Sequence, residues 1–187
     1  MKIVAGRFRG RTLEAPKGRD VRPTSSRVRE AVFNILENGK PALDLAGIVV
    51  LDLFAGTGAL GFEALSRGAV RAIFLDRAAE PLALIRRNAG RLGIPDECVT
   101  LKLDSSKLGP PPRVAPAADL AFLDPPYGLG LVEPALLGLA RNGWLNDGAV
   151  VVCETPARTD VGRVSGYEVL DVRDYGAARV TFLSFAA

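Results

Sequence analysis

From residue 45 onward, short unbroken apolar runs alternate with longer stretches whose apolar residues recur every three or four positions. The runs Ile48–Leu53, Arg71–Asp76, Val99–Leu103, Leu120–Asp124 and Ala149–Glu154 have the length and continuity of strands covered on both faces. Between them, Ala59–Arg67, Ala79–Leu92 and Leu131–Asn142 carry the helical period, and the first of these is stopped by Gly68. Regular strand–helix alternation predicts a parallel sheet with helices on its faces. The last part of the chain breaks the rhythm. Tyr167–Asp174 and Arg179–Phe185 read as two strands split only by Tyr175-Gly176-Ala177-Ala178, so they predict an antiparallel hairpin. Seven strands follow in all, five of them parallel.

The first 40 residues have a different pattern. Met1–Ala5 and Arg11–Ala15 read as short strands around Gly6-Arg7-Phe8-Arg9-Gly10-Arg11, an exposed loop with bendable ends. Pro16 to Pro23 reads as a linker. Thr24, Ser25 or Ser26 can cap a helix that runs to about Asn38, with Val28, Ala31, Val32, Ile35 and Leu36 as its apolar stripe. The expected organisation is a small extension, residues 1–40, ahead of a main domain, residues 41–187.

The first strand runs directly into Asp52-Leu53-Phe54-Ala55-Gly56-Thr57-Gly58-Ala59-Leu60-Gly61. A strand, a glycine turn and a helix in that order aim backbone N–H groups at whatever lies beyond the strand end. Gly56-x-Gly58-x-x-Gly61 also fits a dinucleotide fingerprint, with Asp76 placed to take ribose hydroxyls. Asp52 weighs against a pyrophosphate, because a like charge at short range in a partly buried site costs free energy. A sulfonium and an ammonium would be attracted instead. The turn therefore favours S-adenosylmethionine over NAD, with Asp52, Phe54, Ala55, Gly56, Thr57 and Gly58 as candidate contacts. A turn that binds nothing is the plainer alternative.

Further carboxylates recur at the strand ends. Asp52, Asp76, Asp104 and Asp124 all fall at or just beyond the last strand position, where an open α/β sheet opens its crevice. Any one of them could be a helix cap. Four in one register suggest Asp52 near the amino-acid part of the cofactor and Asp76, with Arg77 beside it, at the ribose. Asp104 and Ser105 would then face the adenine amine, which donates hydrogen bonds.

After the fourth strand stands Asp124-Pro125-Pro126-Tyr127. Two prolines stiffen the turn and fix where the Asp124 carboxylate and the Pro125 carbonyl point. Two converging acceptors suit an exocyclic amine on a nucleobase, because they orient its nitrogen and offset the charge that develops as it attacks. Tyr127 adds a flat face for the base. These four are the candidate catalytic residues, and a rigid turn without chemistry is the competing reading.

Charge sharpens the picture of the partner. Residues 1–30 hold nine basic side chains against three acidic ones, while the other 157 residues hold 15 basic and 18 acidic. A basic arm on a slightly acidic body suggests a polyanion, with Arg7, Arg9, Arg11, Arg22, Arg27 and Arg29 as candidate contacts. There is no histidine, and Cys98 and Cys153 are not paired at metal spacing, so a zinc site is not expected. The start of the chain is basic rather than apolar, and no run reaches membrane-spanning length. A cytoplasmic protein without membrane contact is expected.

Taken together, these residues resemble a known family. Asp124-Pro125-Pro126-Tyr127 with Asp52-x-Phe54-x-Gly56-x-Gly58 is similar to the amino-methyltransferases acting on adenine N6, guanine N2 or a glutamine amide. More narrowly, Gly6-Arg7-Phe8-Arg9-Gly10-Arg11-x-Leu13, Arg22-Pro23-Thr24-x-x-Arg27-Val28-Arg29-Glu30-Ala31-x-Phe33-Asn34, the glycine turn, Asn142-Gly143-Trp144-Leu145 and Tyr175-Gly176 resemble the RsmD family of bacterial 16S rRNA guanine-N2 methyltransferases. That resemblance implies a class I, Rossmann-like methyltransferase fold and S-adenosylmethionine as cofactor. It also implies a monomer that finds its guanine in 16S rRNA within small-subunit particles. Two other readings stay open on the residues alone: a DNA or RNA adenine-N6 methyltransferase, and an RNA-binding assembly factor without activity.

Overall fold

The computed structural model describes residues 1–15 and 26–187. Its elements are α1 (Ser26–Asn38), β1 (Val49–Leu53), α2 (Ala59–Ser66), β2 (Arg71–Asp76), α3 (Ala79–Leu92), β3 (Cys98–Lys102), β4 (Ala118–Leu123), α4 (Val132–Asn142), β5 (Leu145–Pro156), β6 (Tyr167–Tyr175) and β7 (Ala178–Phe185). The seven strands form one sheet in the order β3-β2-β1-β4-β5-β7-β6. β1 to β5 are parallel, and β7 runs antiparallel to both β5 and β6. The reversal of strand order at β1 and β4 places a crevice at their carboxyl ends.

The period of two along each strand divides the core between the two faces. Val50, Phe74, Leu120, Phe122, Val152 and Phe182 pack with Phe33 and Leu36 of α1, Phe62 and Leu65 of α2 and Ile85 of α3. Leu51, Leu53, Ile73, Ala121, Leu123, Val151 and Cys153 pack with Leu136 and Leu139 of α4 and with Trp144. The indole N–H of Trp144 donates to the Gly109 carbonyl at 2.7 Å, which meets its only polar requirement.

The N-terminal arm is a short hairpin. Around an antiparallel bridge between Lys2 and Thr12, Met1 and Leu13 exchange hydrogen bonds at 3.2 and 2.8 Å, and Ile3 donates to the Arg11 carbonyl at 3.1 Å. The backbone finds other partners: Val4 and Ala5 donate to the Glu63 carboxylate at 2.8 and 3.0 Å, and Glu14 donates to Asn88 Oδ1 at 2.8 Å. The Arg7 N–H donates to the Ser66 carbonyl at 2.8 Å, at the end of α2. Gly6 turns there with φ +78°, and a Cβ on it would lie 1.9 Å from that carbonyl oxygen. Ile3 and Leu13 share the core of the α1–α3 face.

The buried side of α1 is also rotated from the expected stripe. Arg29, Val32, Phe33 and Leu36 are its buried residues, at the i, i+3, i+4, i+7 spacing of one helical face. Val28 and Ile35 pack at its margin.

Candidate active site

The crevice is built on β1. After Leu53 the chain turns through Phe54 (φ 59°), Gly56 (φ 51°) and Gly58 (φ 73°) into α2. A left-handed conformation at Phe54 is costly for a residue with a side chain, and the neighbouring strand holds it, because Ala55 donates to the Leu75 carbonyl at 2.9 Å. Gly61 permits the close approach of α2 to β2: a Cβ there would lie 2.3 Å from the Phe74 ring.

Asp52 is buried behind this turn, with 3% exposure, and accepts a hydrogen bond from the Gly61 N–H at 3.0 Å. Burial pushes its carboxyl up to about 8; the Gly61 N–H opposes this, and the charges of Asp124 and Asp76 add to it. Asp76 ends β2 and accepts from the Gly56 N–H at 3.2 Å and the Ala78 N–H at 2.8 Å, one bond on each oxygen. It remains half-buried and has acceptor capacity to spare. Beyond β3, Asp104 accepts from the N–H and hydroxyl of Ser106 at 3.0 and 2.6 Å, and those bonds hold its carboxyl below the usual range. Ser105 is buried.

Phe54, Asp76, Arg77, Asp104, Ser105, Asp124 and Pro126 line one cleft of about 400 Å³. Of the ten residues expected around a cofactor, five therefore lie on this cleft. Asp52, Ala55 and Thr57 are buried in or behind the turn, which Gly56 and Gly58 shape.

Asp124 follows directly on β4 and is half-buried; Pro125 is buried, and Pro126 and Tyr127 are exposed. The Tyr127 hydroxyl donates to the Glu154 carboxylate at 2.9 Å. A second cleft of about 370 Å³ lies on this side, walled by Pro125, Pro126, Tyr127, Glu154 and Thr155. Pro126 and Leu131 belong to both clefts, so the two meet at the Asp-Pro-Pro-Tyr turn. Glu154 was not among the residues singled out from the sequence. It ends a predicted strand in the manner of the four aspartates, and that was the available signal.

The basic residues divide. Arg9 and Arg27 are exposed. Arg7 lies over the Phe8 ring, with 4.6 Å to its centroid, and pairs with Glu97. Arg11 donates to the Arg91 carbonyl at 3.2 Å. Phe8 packs partly against the core rather than standing free between the arginines. Arg29 is not a surface residue. It is 1% exposed, donates to the Lys2 carbonyl at 2.6 Å and lies 3.5 Å from Glu63. Its helical phase puts it on the buried face, so its partners are the arm and α2 rather than a polyanion. Arg22 lies outside the described residues.

No helix among the described residues is long and apolar enough to cross a membrane, and none of their Cys, Asp and Glu side chains form a cluster of three or more able to hold a metal ion.

A parallel sheet carrying an antiparallel β7 between β5 and β6, with a glycine turn at β1 and acids at the strand ends, is the class I, Rossmann-like methyltransferase fold, and the chain is a methyltransferase. The family described as "Conserved hypothetical protein 95" matches residues 1–184, and the chain belongs to it, the RsmD family. It is 36% identical over 156 residues to "Ribosomal RNA small subunit methyltransferase D" of Haemophilus influenzae, covering 83% of this chain and 78% of that one. The Escherichia coli protein of the same name is 36% identical over 157 residues, covering 83% and 74%. The solved structure of yhhF from Escherichia coli superposes with a TM-score of 0.84 at 29% identity, covering 100% of this chain and 98% of that one.

Proposed function

We propose that this enzyme methylates the exocyclic N2 amine of a guanine in 16S rRNA of the small ribosomal subunit, with S-adenosylmethionine as donor. The observation that carries the reading is the meeting of two clefts at Asp124-Pro125-Pro126-Tyr127, one walled by strand-end acids and the other by an exposed tyrosine ring. RNA of the small subunit is the substrate named for the Haemophilus influenzae and Escherichia coli relatives.

The residues present fit this cofactor. Asp52 is a buried carboxyl with a raised pKa that a nearby cation would relieve, whereas a pyrophosphate in the cleft would face Asp76 and Asp124. Asp76 would take the ribose hydroxyls, with Arg77 beside it. Ser105 and Asp104 would border the adenine, and the 54–58 turn the amino-acid part. When bound, the cofactor supplies an electrophilic methyl group: the N2–CH3 bond forms as the S–CH3 bond breaks, and the uncharged thioether leaves.

The chain's own groups do the remainder. The Asp124 carboxylate and the Pro125 carbonyl accept the N2 hydrogens, aim the nitrogen lone pair at the methyl group and stabilise the positive charge that develops on nitrogen. The N2 proton is lost to water after transfer, which needs no histidine. Tyr127 stacks on a base drawn out of its helix, offsetting part of the unstacking cost. Arg9 and Arg27, with Arg7 and Arg11, would contact phosphates outside the cleft.

The test is incubation with small-subunit particles from a strain lacking this gene, followed by digestion of the RNA and mass analysis of its nucleosides. N2-methylguanosine at one position is expected. N6-methyladenosine, or no transfer at all, would overturn the reading.

A further inference from the structure

We propose that Glu154 is the residue that selects guanine, by accepting a hydrogen bond from guanine N1–H beside the amine that Asp124 orients. The inference rests on the proposed reaction and deepens it.

β4 and β5 are parallel, with Leu123 paired to Cys153, so Asp124 and Glu154 are the next two residues in that register. Adjacent strands lie about 4.8 Å apart, and residues paired in this way point to the same side of the sheet. Both carboxylates line one small gap together with Val32, Leu60 and Phe122. Glu154 also faces the second cleft, beside Pro125, Pro126 and Tyr127. Two acceptors thus stand side by side at the boundary between the two clefts.

The Watson–Crick edge of guanine presents N1–H and the N2 amine as adjacent donors. A base read on that edge would place both against this pair. Adenine carries an unprotonated N1 next to its amine. A carboxylate facing that lone pair leaves two acceptors opposed in a partly dry site, which is strongly unfavourable. Asp124 by itself suits any exocyclic amine; the second carboxylate separates the two purines. The Tyr127 hydroxyl, 2.9 Å from Glu154 Oε1, holds the carboxylate in place. An oxygen that accepts this bond still has a second acceptor position, and the other oxygen has two.

The experiment uses small-subunit particles reconstituted with either guanine or 2-aminopurine at the nucleotide mapped in the parent reaction. 2-Aminopurine keeps the N2 amine, replaces N1–H with a lone pair and lacks O6, so the part of the discrimination that changes in the Glu154 variants reports on N1. The parent enzyme is expected to favour guanine on the order of a hundredfold in single-turnover kcat/KM, as for the loss of one hydrogen bond to a charged acceptor. Glu154→Gln presents an amide that can donate to the lone pair, so its preference should fall below about tenfold. Glu154→Ala should lose rate on guanine and discriminate little. Calorimetry should give both variants the parent's S-adenosylmethionine affinity, and thermal melting will show that they are folded. If Glu154 served only to anchor Tyr127, Tyr127→Phe would erase the discrimination as well; the expected result is that Tyr127→Phe retains it. N2-methylguanosine formation with the parent's preference intact in both Glu154 variants would overturn the role of Glu154 alone. Absence of N2-methylguanosine from the parent reaction would overturn the reaction and this inference with it.

Discussion

Arg29 of α1 and Glu63 of α2 face each other in the interior at 3.5 Å, each with no more than 1% of its side chain exposed. Glu63 also accepts from Arg67 Nε at 3.0 Å and from the backbone of Val4 and Ala5. Desolvation lowers the Arg29 pKa, and the Glu63 charge raises it again. One carboxylate therefore joins the arm, α1 and α2.

Removing one member of a buried pair strands the other. Arg29→Ala should destabilise the fold by about 3–5 kcal/mol, and Glu63→Ala should do so at least as much, because it also leaves two backbone donors unpaired. Urea unfolding measures this. A loss under about 1 kcal/mol for Arg29→Ala would show that the pair is not what holds the arm.

The exposed arginines behave differently. The double variant Arg9→Ala/Arg27→Ala should fold as the parent does and bind small-subunit particles more weakly. It should lower the log–log salt slope by about one unit per phosphate contact removed, somewhat less where the RNA is single-stranded. Binding across a salt series is the measurement, and a slope equal to the parent's would make these two side chains plain solvated surface.

Asp76→Ala should weaken S-adenosylmethionine binding by about 1.5–3 kcal/mol, the range for a hydrogen bond to a charged acceptor. Part of any loss would come through the turn, since Asp76 also holds the Gly56 N–H. Asp76→Asn keeps an acceptor there and should lose less. Calorimetry on both variants separates the contributions, and unchanged affinity in Asp76→Ala would remove the residue from the site.

Asp124→Ala should leave cofactor affinity near the parent's and slow single-turnover methyl transfer by on the order of a hundredfold or more. Near-normal turnover would reduce the Asp-Pro-Pro-Tyr turn to a structural element.

Asp52 gives a pH dependence with a definite sign. Its carboxyl is pushed up to about 8 in the folded protein, from 3.8 when unfolded. Across that interval the folded state keeps a proton that the unfolded chain has lost. Its stability contribution is complete below about pH 4, declines as pH rises, and is gone above about pH 8. The steepest slope is about 1.4 kcal/mol per pH unit. Asp52→Asn cannot ionise, so its melting temperature should fall less than the parent's between pH 5 and 8. Parallel melting curves would show that Asp52 is ionised throughout.

Much of this architecture is readable in the chain, because strands buried on both faces need continuous apolar runs and α3 carries its stop signal, Gly93, at φ 78°. Asp76, Asp104 and Asp124 were legible for a related reason: after an apolar run, an acid marks the place where the strand leaves the core, whereas Asp52 is buried inside β1. Glu154 obeys the same rule but lies inside the long β5, Leu145–Pro156, so its position at the crevice appears only once β4 and β5 are paired. Arg29 misled because counting charge along a chain is blind to direction. Its phase with Val32, Phe33 and Leu36 carried the answer, and an arginine in a buried stripe reads as an error until Glu63, 34 positions later, arrives as its partner. The arm pairs as a hairpin from Met1 to Ile3 with Arg11 to Leu13, and the Glu63 carboxylate and Asn88 take the next donors, those of Val4, Ala5 and Glu14.

The contact between Gly6 and α2 bears on how this protein can vary over generations. Gly6 stands where any side chain would strike the Ser66 carbonyl, whereas Gly10, at φ 81°, has open space around its missing Cβ. Asparagine tolerates that backbone conformation and needs only room. In a pool of variants randomised at both positions and selected for a working enzyme, position 6 should return glycine alone, while position 10 should admit asparagine. Two glycines that look equivalent in the motif thus have different evolutionary freedom: one is held by a wall, the other only by its own backbone.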